Sequence, residues 1–247
     1  MKQHIGLLFI IIISLSSCEK EPNTVLSHDQ IKLNAVKVDP FIVTNYYKDA
    51  KLLYVKEIFQ DSSHFNRNNT VLDTLEITKV LKIIQTVYDL NSQESNIIFN
   101  DKKIHSRICI NLDYLWLKVQ KSAPEITNLI KGIFPTDNQN LDKLLVKYEF
   151  KSVRSFSITD YIIIYLKREY NLIPVATEFL KIPSIISNTW DSCGGDGNDI
   201  TITRSENSAK IIFSIGEGDC PAGCIYHKYW EFQVANNKAT FLKSYEN

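Results

Sequence analysis

The chain has 247 residues, of which 44% are hydrophobic and 23% are charged, and its 28 basic side chains equal its 28 acidic ones. This composition is that of an ordinary globular protein with enough apolar material for a core. The lack of a basic excess argues against nucleic acid as a partner and against a polybasic contact with a membrane surface.

The first predicted element is the apolar run from Ile5 to Ile13, which follows the basic residue Lys2. It is too short to span a bilayer as a helix and has the length typical of a signal peptide. The run ends in Leu15-Ser16-Ser17-Cys18, which resembles the lipobox of bacterial lipoproteins. The resemblance implies cleavage before Cys18 and acylation of Cys18. The alternative is an ordinary secretory signal in which this cysteine is incidental.

Acylation would decide where the protein resides. Each buried CH₂ group adds about 0.8 kcal/mol, so two or three acyl chains hold a protein on the lipid bilayer almost permanently. We therefore expect a cell-envelope protein that is anchored through Cys18 and faces the periplasm or the exterior, with the outer membrane favoured.

Composition and turn residues divide the chain into five parts. In order, they are predicted to be a lipoprotein signal peptide (1–17), a polar tether (18–29), an α+β segment (30–112), a βαββαβ segment (113–191) and an antiparallel β segment (192–247). We expect the tether to hold the folded segments away from the lipid.

Within residues 30–112, alternating apolar residues from Lys51 to Phe59 predict a strand. A helix is predicted to begin at Asp73, because an apolar stripe with helical spacing follows it and Glu76 stands where a capping-box partner belongs. Apolar residues between Asn96 and Leu112 predict one or two further strands.

Residues 113–191 predict the order β-α-β-β-α-β with one additional helix. Ser122 and Glu125 predict the capping box of a short helix that ends at Gly132. This order predicts a ferredoxin-like sandwich. It loosely resembles the propeptide and inhibitor domains of subtilisin-like proteases, and that resemblance implies a proteinase-inhibitor-like or propeptide-like function. It rests on element order rather than on a motif.

Residues 192–247 predict four antiparallel strands, with Asn236-Asn237 as a two-residue hairpin turn. The fold class is therefore predicted to be α+β, a ferredoxin-like βαββαβ segment plus a C-terminal antiparallel β meander. The third strand of the meander is aromatic. If its rings face solvent they would stack on sugars, and if they face inward they form core; they are Tyr226, Tyr229, Trp230 and Phe232.

The most distinctive block of the mature chain runs from Gly216 to Cys224, where glycines and a proline predict a tightly shaped loop. It resembles Gly-Asp-Cys-Pro-x-Gly-Cys blocks of bacterial lipoproteins that have no assigned activity. An oxidising envelope favours disulfides. We predict a Cys220–Cys224 disulfide, and a second bond between Cys109 and Cys193 stays open against two separate thiols.

Two metal sites and a redox role are the alternatives for this block. Cysteine spacing allows zinc, with Cys193, Cys220, Cys224 and His227 as ligands, or a redox-active pair. Oxygen-bearing residues on two glycine-rich loops would suit calcium, namely Asp196, Asn198, Asp199, Glu217 and Asp219. The competing interpretation is that these side chains satisfy the backbone of their own turns. The EF-hand pattern is not met, and we predict no resident metal or cofactor.

Catalytic motifs are missing from the sequence. It contains no G-x-S-x-G, no H-E-x-x-H and no phosphate-binding loop. We therefore expect a non-enzymatic binding or interaction module, anchored by acylated Cys18, whose partner is an envelope protein or a glycan. The alternatives are a proteinase-inhibitor-like protein, a carbohydrate-binding module and an envelope hydrolase.

Overall fold

The computed structural model describes residues 37–190 and 194–247, so the predicted signal peptide, the tether, Cys18 and Cys193 lie outside the described residues. The fold class is α+β, as predicted. The helices are α1 (Pro40–Gln60), α2 (Thr74–Tyr88), α3 (Gln93–Asn96), α4 (Pro124–Ile130), α5 (Gln139–Lys147) and α6 (Leu172–Phe179), with a π-helix at Ile97–Asp101. The strands are β1 (Tyr114–Val119), β2 (Phe150–Ser155), β3 (Tyr161–Leu166), β4 (Ile185–Thr189), β5 (Asp199–Arg204), β6 (Ser208–Glu217), β7 (Tyr226–Ala235) and β8 (Lys238–Glu246).

The middle of the chain forms a body of its own, which we call the inner unit (β1 to β4 with α4 to α6). Its four strands make an antiparallel sheet in the order β2-β3-β1-β4. Alternate strand residues such as Leu117 and Ile164 meet Phe179 and other helix residues in one core. Three helices therefore cover one face of this sheet, and Tyr114, Trp116 and Tyr165 on its other face are partly exposed.

The two ends of the described chain build a second body together, which we call the outer unit (α1 to α3, the π-helix and β5 to β8). Its strands form a four-stranded antiparallel sheet in sequence order. One chain of ring contacts crosses its core: Tyr46 to Phe99 at 5.2 Å, Phe99 to Phe213 at 5.5 Å, and Phe213 to Phe232 at 6.1 Å between centroids. Residues from the segments 30–112 and 192–247 thus share one core.

The strand predicted from Lys51 to Phe59 is wrong, because these residues belong to α1. The helix begins at Pro40, whose missing N–H suits a first turn, and the Asp39 carboxylate accepts a hydrogen bond from the Phe41 N–H at 2.7 Å. Four consecutive residues, 52–55, are buried. A helix that is covered on several sides loses its apolar stripe, so the sequence pattern misled.

The strands predicted between Asn96 and Leu112 are also wrong. The π-helix occupies residues up to Asp101, and the described chain from 102 to 112 contains no strand. In this segment, carboxylate side chains accept hydrogen bonds from backbone N–H groups that would otherwise bond to a neighbouring strand. The Ser106 N–H donates to the Asp49 carboxylate at 2.6 Å, and the Arg107 N–H donates to the Asp199 carboxylate at 2.8 Å.

Helix starts were predicted with mixed success. Asp73 caps α2, where its carboxylate accepts from the N–H groups of Leu75 and Glu76. The Glu76 side chain does not complete a capping box, because it pairs with Lys79 and Arg204 instead. Ser122 does not cap α4, which follows Ala123 and begins at Pro124 without a side-chain cap.

Asn171, which is fully buried, links the two units, as do the Lys51–Glu169 ion pair and the Phe59–Trp190 ring contact. The amide nitrogen of Asn171 donates to the carbonyl oxygens of Arg67 at 2.9 Å and Asn69 at 3.0 Å, and its backbone N–H donates to the Thr70 carbonyl at 2.9 Å. Its side-chain oxygen caps α6. A loop of the outer unit is thereby fixed to a helix start of the inner unit. Of the described helices, none combines the length and apolarity needed to cross a bilayer.

Candidate functional site

The predicted Cys220–Cys224 disulfide is formed, with 3.9 Å between the two Cα atoms. Two glycines let a neighbouring loop reach it. A Cβ on Gly216 would lie 2.2 Å from Cys224 Sγ, and one on Gly195, whose φ is +71°, would lie 2.5 Å from the Cys220 carbonyl oxygen. The Asp196 N–H donates to that same carbonyl at 2.8 Å. We call this region, residues 194–198 and 216–227, the disulfide junction.

His227 and Asp196 form an ion pair inside the disulfide junction, with 2.8 Å between Nε2 and Oδ2. The His227 side chain is only 16% exposed. A hydrogen bond from the Gly197 N–H, together with His227, holds the pKa of Asp196 below its usual range. Ligand atoms of Asp196, His227 and Cys224 all lie within 4.8 Å of one another. In this oxidation state the Cys224 sulfur is in the disulfide and offers no thiolate.

Two of the oxygen-bearing side chains proposed for calcium accept backbone hydrogen bonds. Asn198 accepts from the Gly216 N–H at 3.4 Å, and Asp199 accepts from the N–H groups of Arg107 and Ile200. Within the described part of the chain, the metal-competent group contains Asp196 but neither Glu217 nor Asp219. The bonds to Gly216 and Arg107 reach beyond the residues' own turns, and the calcium site stays a hypothesis.

Cys109 is also disulfide-bonded, and Cys193, its predicted partner, lies outside the described residues. The second predicted bond therefore stays a prediction.

The aromatic strand, for which the sequence leaves core and sugar stacking as alternatives, places two of its four rings in the core. Trp230 and Phe232 are buried at 2% and 0% exposure, whereas Tyr226 projects into solvent. Tyr229 lies on the open face of the outer sheet, where its ring stacks on Tyr245 at 4.8 Å. Four residues that are close in sequence thus have two different roles.

Sequence reasoning missed an aromatic surface on the inner sheet. Register pairs place Tyr114 beside Tyr165 and Trp116 beside Ile163, on the face opposite the helices. All five rings are partly exposed, and we call the set the aromatic face: Tyr114, Trp116, Phe156, Tyr161 and Tyr165. The signal was present in the alternation Tyr-Leu-Trp-Leu-Lys-Val of β1, but the sequence does not say which face the helices leave open.

The rings of the aromatic face contact one another across strands. Tyr114 and Tyr165 lie 5.5 Å apart, and Trp116 stacks on Phe156 at 6.0 Å with 15° between the planes. The Arg154 guanidinium lies 5.1 Å from the centre of the Phe156 ring. Arg154 is on β2, where it pairs with Ile163 of β3. The Trp116 indole N–H is buried and has no hydrogen-bond partner. A buried donor without a partner costs about 1–3 kcal/mol, so a partner for it would be favourable.

A third candidate is a histidine–carboxylate pair in a cleft of about 870 Å³. Nδ1 of His105 lies 2.8 Å from Oδ2 of the buried Asp49, and the His105 ring stacks on Tyr46 at 4.9 Å. Burial and the Asp49 carboxylate raise the pKa of Tyr46 far above its usual range. Ser106 Oγ has no hydrogen-bond partner, so it is not bound to His105. A base with an orienting acid is present, but the adjacent serine is not engaged as a nucleophile.

Comparison with known proteins assigns no family. No protein-family model matches the chain, and neither a curated protein nor a solved structure matches it. The three candidate sites are therefore weighed on their own chemistry, and the aromatic face has the most complete set of groups for binding a ligand.

Proposed function

We propose that this chain is a lipoprotein of the cell envelope, held by acylated Cys18, and that it acts as a non-enzymatic module that binds glycans. The aromatic face is the observation that carries the binding proposal. The anchor rests on the apolar run and on the residues Leu15 to Cys18.

A sugar fits the aromatic face better than a folded protein partner does. Sugar rings present apolar C–H faces that suit flat aromatic rings, and their hydroxyl groups need hydrogen-bond partners. Around the rings the same face offers Arg154 and Lys118, and the register places Ser187 and Thr189 beside β1.

The strand order β2-β3-β1-β4 and the antiparallel pairing also support a ferredoxin-like assignment for the inner unit. This assignment brings no activity with it, because one fold serves many functions. The inhibitor-like alternative is weakened because the chain continues from β4 to β5, so β4 is not followed by a free tail.

Binding is tested with the chain from residue 19 onwards, without the signal peptide. The protein is run through native gels that each contain one neutral polysaccharide. Its migration is compared with that in a gel without polysaccharide. Trp116→Ala and Tyr165→Ala are expected to abolish the retardation that the unchanged chain shows, because each removes a stacking ring. The matched control is Tyr229→Ala, which removes a tyrosine from the open face of the other sheet and is expected to bind normally. Equal binding by all four proteins, or no retardation by any glycan, would reject the glycan proposal.

The anchor is tested separately. Mass spectrometry of the protein from its native membrane is expected to show an N-terminal acylated cysteine at position 18, and Cys18→Ser is expected to leave the membrane fraction. An uncut leader or an unmodified cysteine would contradict the proposal while leaving the binding face untouched.

A further inference from the structure

The disulfide junction brings together four side chains of the kinds that bind transition metals. Cys220 and Cys224 are bonded through sulfur, and the Cys224 sulfur, the Asp196 carboxylate and a His227 ring nitrogen lie within 4.8 Å of one another. Asp196 comes from the loop before β5, the cysteines from the β6–β7 loop, and His227 from β7. The backbone keeps these segments in place through the Asp196–Cys220 hydrogen bond, which does not involve the sulfur atoms.

We propose that the disulfide junction is a redox-gated zinc site, loaded with Zn²⁺ when the Cys220–Cys224 disulfide is reduced. The reductant is a dithiol, which gives two electrons and two protons to the S–S bond and is itself oxidised to a disulfide. The two resulting thiols then bind Zn²⁺ as thiolates and release two protons. A small-molecule disulfide reverses the step: it takes two electrons from the two thiolates and two protons from solvent, is itself reduced to thiols, and the Cys220–Cys224 bond re-forms and releases Zn²⁺. The proposal is independent of glycan binding.

The donor set favours zinc over calcium and magnesium. Two thiolates, an imidazole and a carboxylate are all ligands of tetrahedral Zn²⁺, and the Cys-x₃-Cys spacing lies within the usual range of two to four intervening residues. Thiolate ligands disfavour the hard cations, which prefer oxygen. In a tetrahedral site the ligand atoms lie roughly 3.3–3.8 Å apart. The present spread of up to 4.8 Å therefore requires movements of about 1 Å.

Ring contacts and charge support His227 and Asp196 as ligands. The His227 ring stacks on Tyr229 at 5.8 Å, which restricts its orientation, and its Nε2 already faces the Asp196 oxygen. The remaining exposure of both side chains leaves a path for the ion. In the oxidised protein neither cysteine offers a thiolate and His227 Nε2 is engaged with Asp196, so we expect little affinity for zinc in that state.

The test uses the full-length mature lipoprotein in detergent with Cys109→Ser and Cys193→Ser, so that a phosphine reductant acts on the Cys220–Cys224 bond alone. Zinc is added in excess, unbound metal is removed by gel filtration, and bound zinc is measured against a competing chelator. We expect one zinc ion per reduced chain and none on the oxidised chain. His227→Gln is expected to weaken zinc binding by about 100-fold or more, and Cys220→Ser with Cys224→Ser to remove it.

The matched control is His105→Gln, because His105 is also paired with an aspartate but is not one of the four proposed zinc ligands. This variant is expected to bind zinc normally. If the reduced protein binds no more zinc than the double cysteine variant, or if His227→Gln binds as tightly as the unchanged chain, the proposal is overturned. Equal zinc binding before and after reduction overturns it as well.

A second measurement serves if removal of Cys109 and Cys193 prevents folding. The unchanged chain is reduced and treated with iodoacetamide with and without zinc, and the modified cysteines are identified by peptide mass spectrometry. Zinc is expected to protect Cys220 and Cys224 from alkylation and to leave Cys109 unprotected. Alkylation of Cys220 and Cys224 at the same rate with and without zinc would overturn the proposal.

Discussion

The inner and outer units use the same plan, a four-stranded antiparallel sheet with helices on one face, but they assemble it differently. The inner unit folds from one continuous stretch, whereas the outer unit unites residues before position 113 with residues after position 198. Joining distant segments carries an entropy cost that local contacts avoid. We infer that the outer unit needs stronger links between its two segments than the inner unit needs.

Those links are visible as charged groups that cross the outer unit. The Arg204 guanidinium on β5 donates to Glu57 of α1 and to Glu76 of α2, both at 2.9 Å. Arg204 is only 20% exposed. Likewise, the Asp199 carboxylate of β5 accepts a hydrogen bond from the Arg107 N–H of the first segment. The inner unit has no comparable triad among the described ion pairs, and its Lys147–Glu178 pair is half exposed.

The largest loss of stability is expected from removing a buried ring from the core of one unit. Phe213→Ala removes a fully buried ring of the outer core, at a cost of about 3–5 kcal/mol in the free energy of unfolding. Hydrogen exchange measured by mass spectrometry should show lost protection in the outer unit while the inner sheet stays protected. Phe179→Ala is the mirror control, with the loss confined to the inner unit. If each variant deprotects both units equally, they form one cooperative body and the comparison fails.

The second largest loss of stability is expected from removing the Arg204 guanidinium, which pairs with Glu57 and Glu76. Arg204→Met removes the guanidinium from the largely buried carboxylate of Glu57 and leaves Glu76 with Lys79 alone, so it should destabilise the outer unit by about 3 kcal/mol in urea unfolding. Adding Glu57→Gln and Glu76→Gln should recover most of that loss, because the charges are then gone. The control Lys147→Met breaks the exposed pair and should cost less than about 1 kcal/mol. A loss in Arg204→Met no greater than in that control would show that the outer unit does not depend on this link.

The contact between the units is tested by Asn171→Asp. The new carboxylate keeps the cap of α6 but places an oxygen against carbonyl oxygens that now accept hydrogen bonds, so we expect a loss of about 2 kcal/mol. Asn138→Asp, which caps α5 away from the outer unit, should change stability by less than about 0.5 kcal/mol. Both variants are compared by thermal unfolding. Equal behaviour would mean that Asn171 is a local cap and not a link.

The smallest change in stability is expected from lowering the pH until Glu76 is protonated. Burial works to raise the pKa of Glu76, but hydrogen bonds from Lys79 and Arg204 outweigh it and hold the pKa below the usual 4.5. The pairing therefore stabilises the folded state above that usual value, and this stability is lost as pH falls through the lowered pKa. Unfolding curves measured from pH 7 downwards should show the outer unit weakening first. In Glu76→Gln this part of the pH dependence should disappear, and its persistence would assign it to other carboxylates.

The inner unit was largely predictable from sequence, and the outer unit only in part. Strand β1 alternates visibly, β3 is a short continuous apolar run after a turn, and α6 has Pro174 in its first turn, so local pattern predicts these elements. The positive φ values of Asn236 and Asn237 likewise agree with the hairpin predicted for the meander. Helix α1 was misjudged because its burial on several sides depends on partners from the other end of the chain.

The candidate sites show the same limit. Which face of β1 is open depends on where α4 to α6 pack, so Trp116 could not be separated from a core residue by its spacing. The approach of His227 to Asp196 depends on two loops that only the fold brings together. The Cys220–Cys224 bond was predictable because both residues lie in one short loop.

One consequence follows from the pairing of β1 with β4. The first strand of the inner unit and its last strand are antiparallel neighbours, with Trp116 beside Thr189, so the chain enters and leaves this unit side by side. Adjacent ends are the condition under which one domain can be set into another without stretching the host. The inner unit is therefore a natural cassette, and exchanging it for another compact fold with neighbouring termini would give the same scaffold a new specificity.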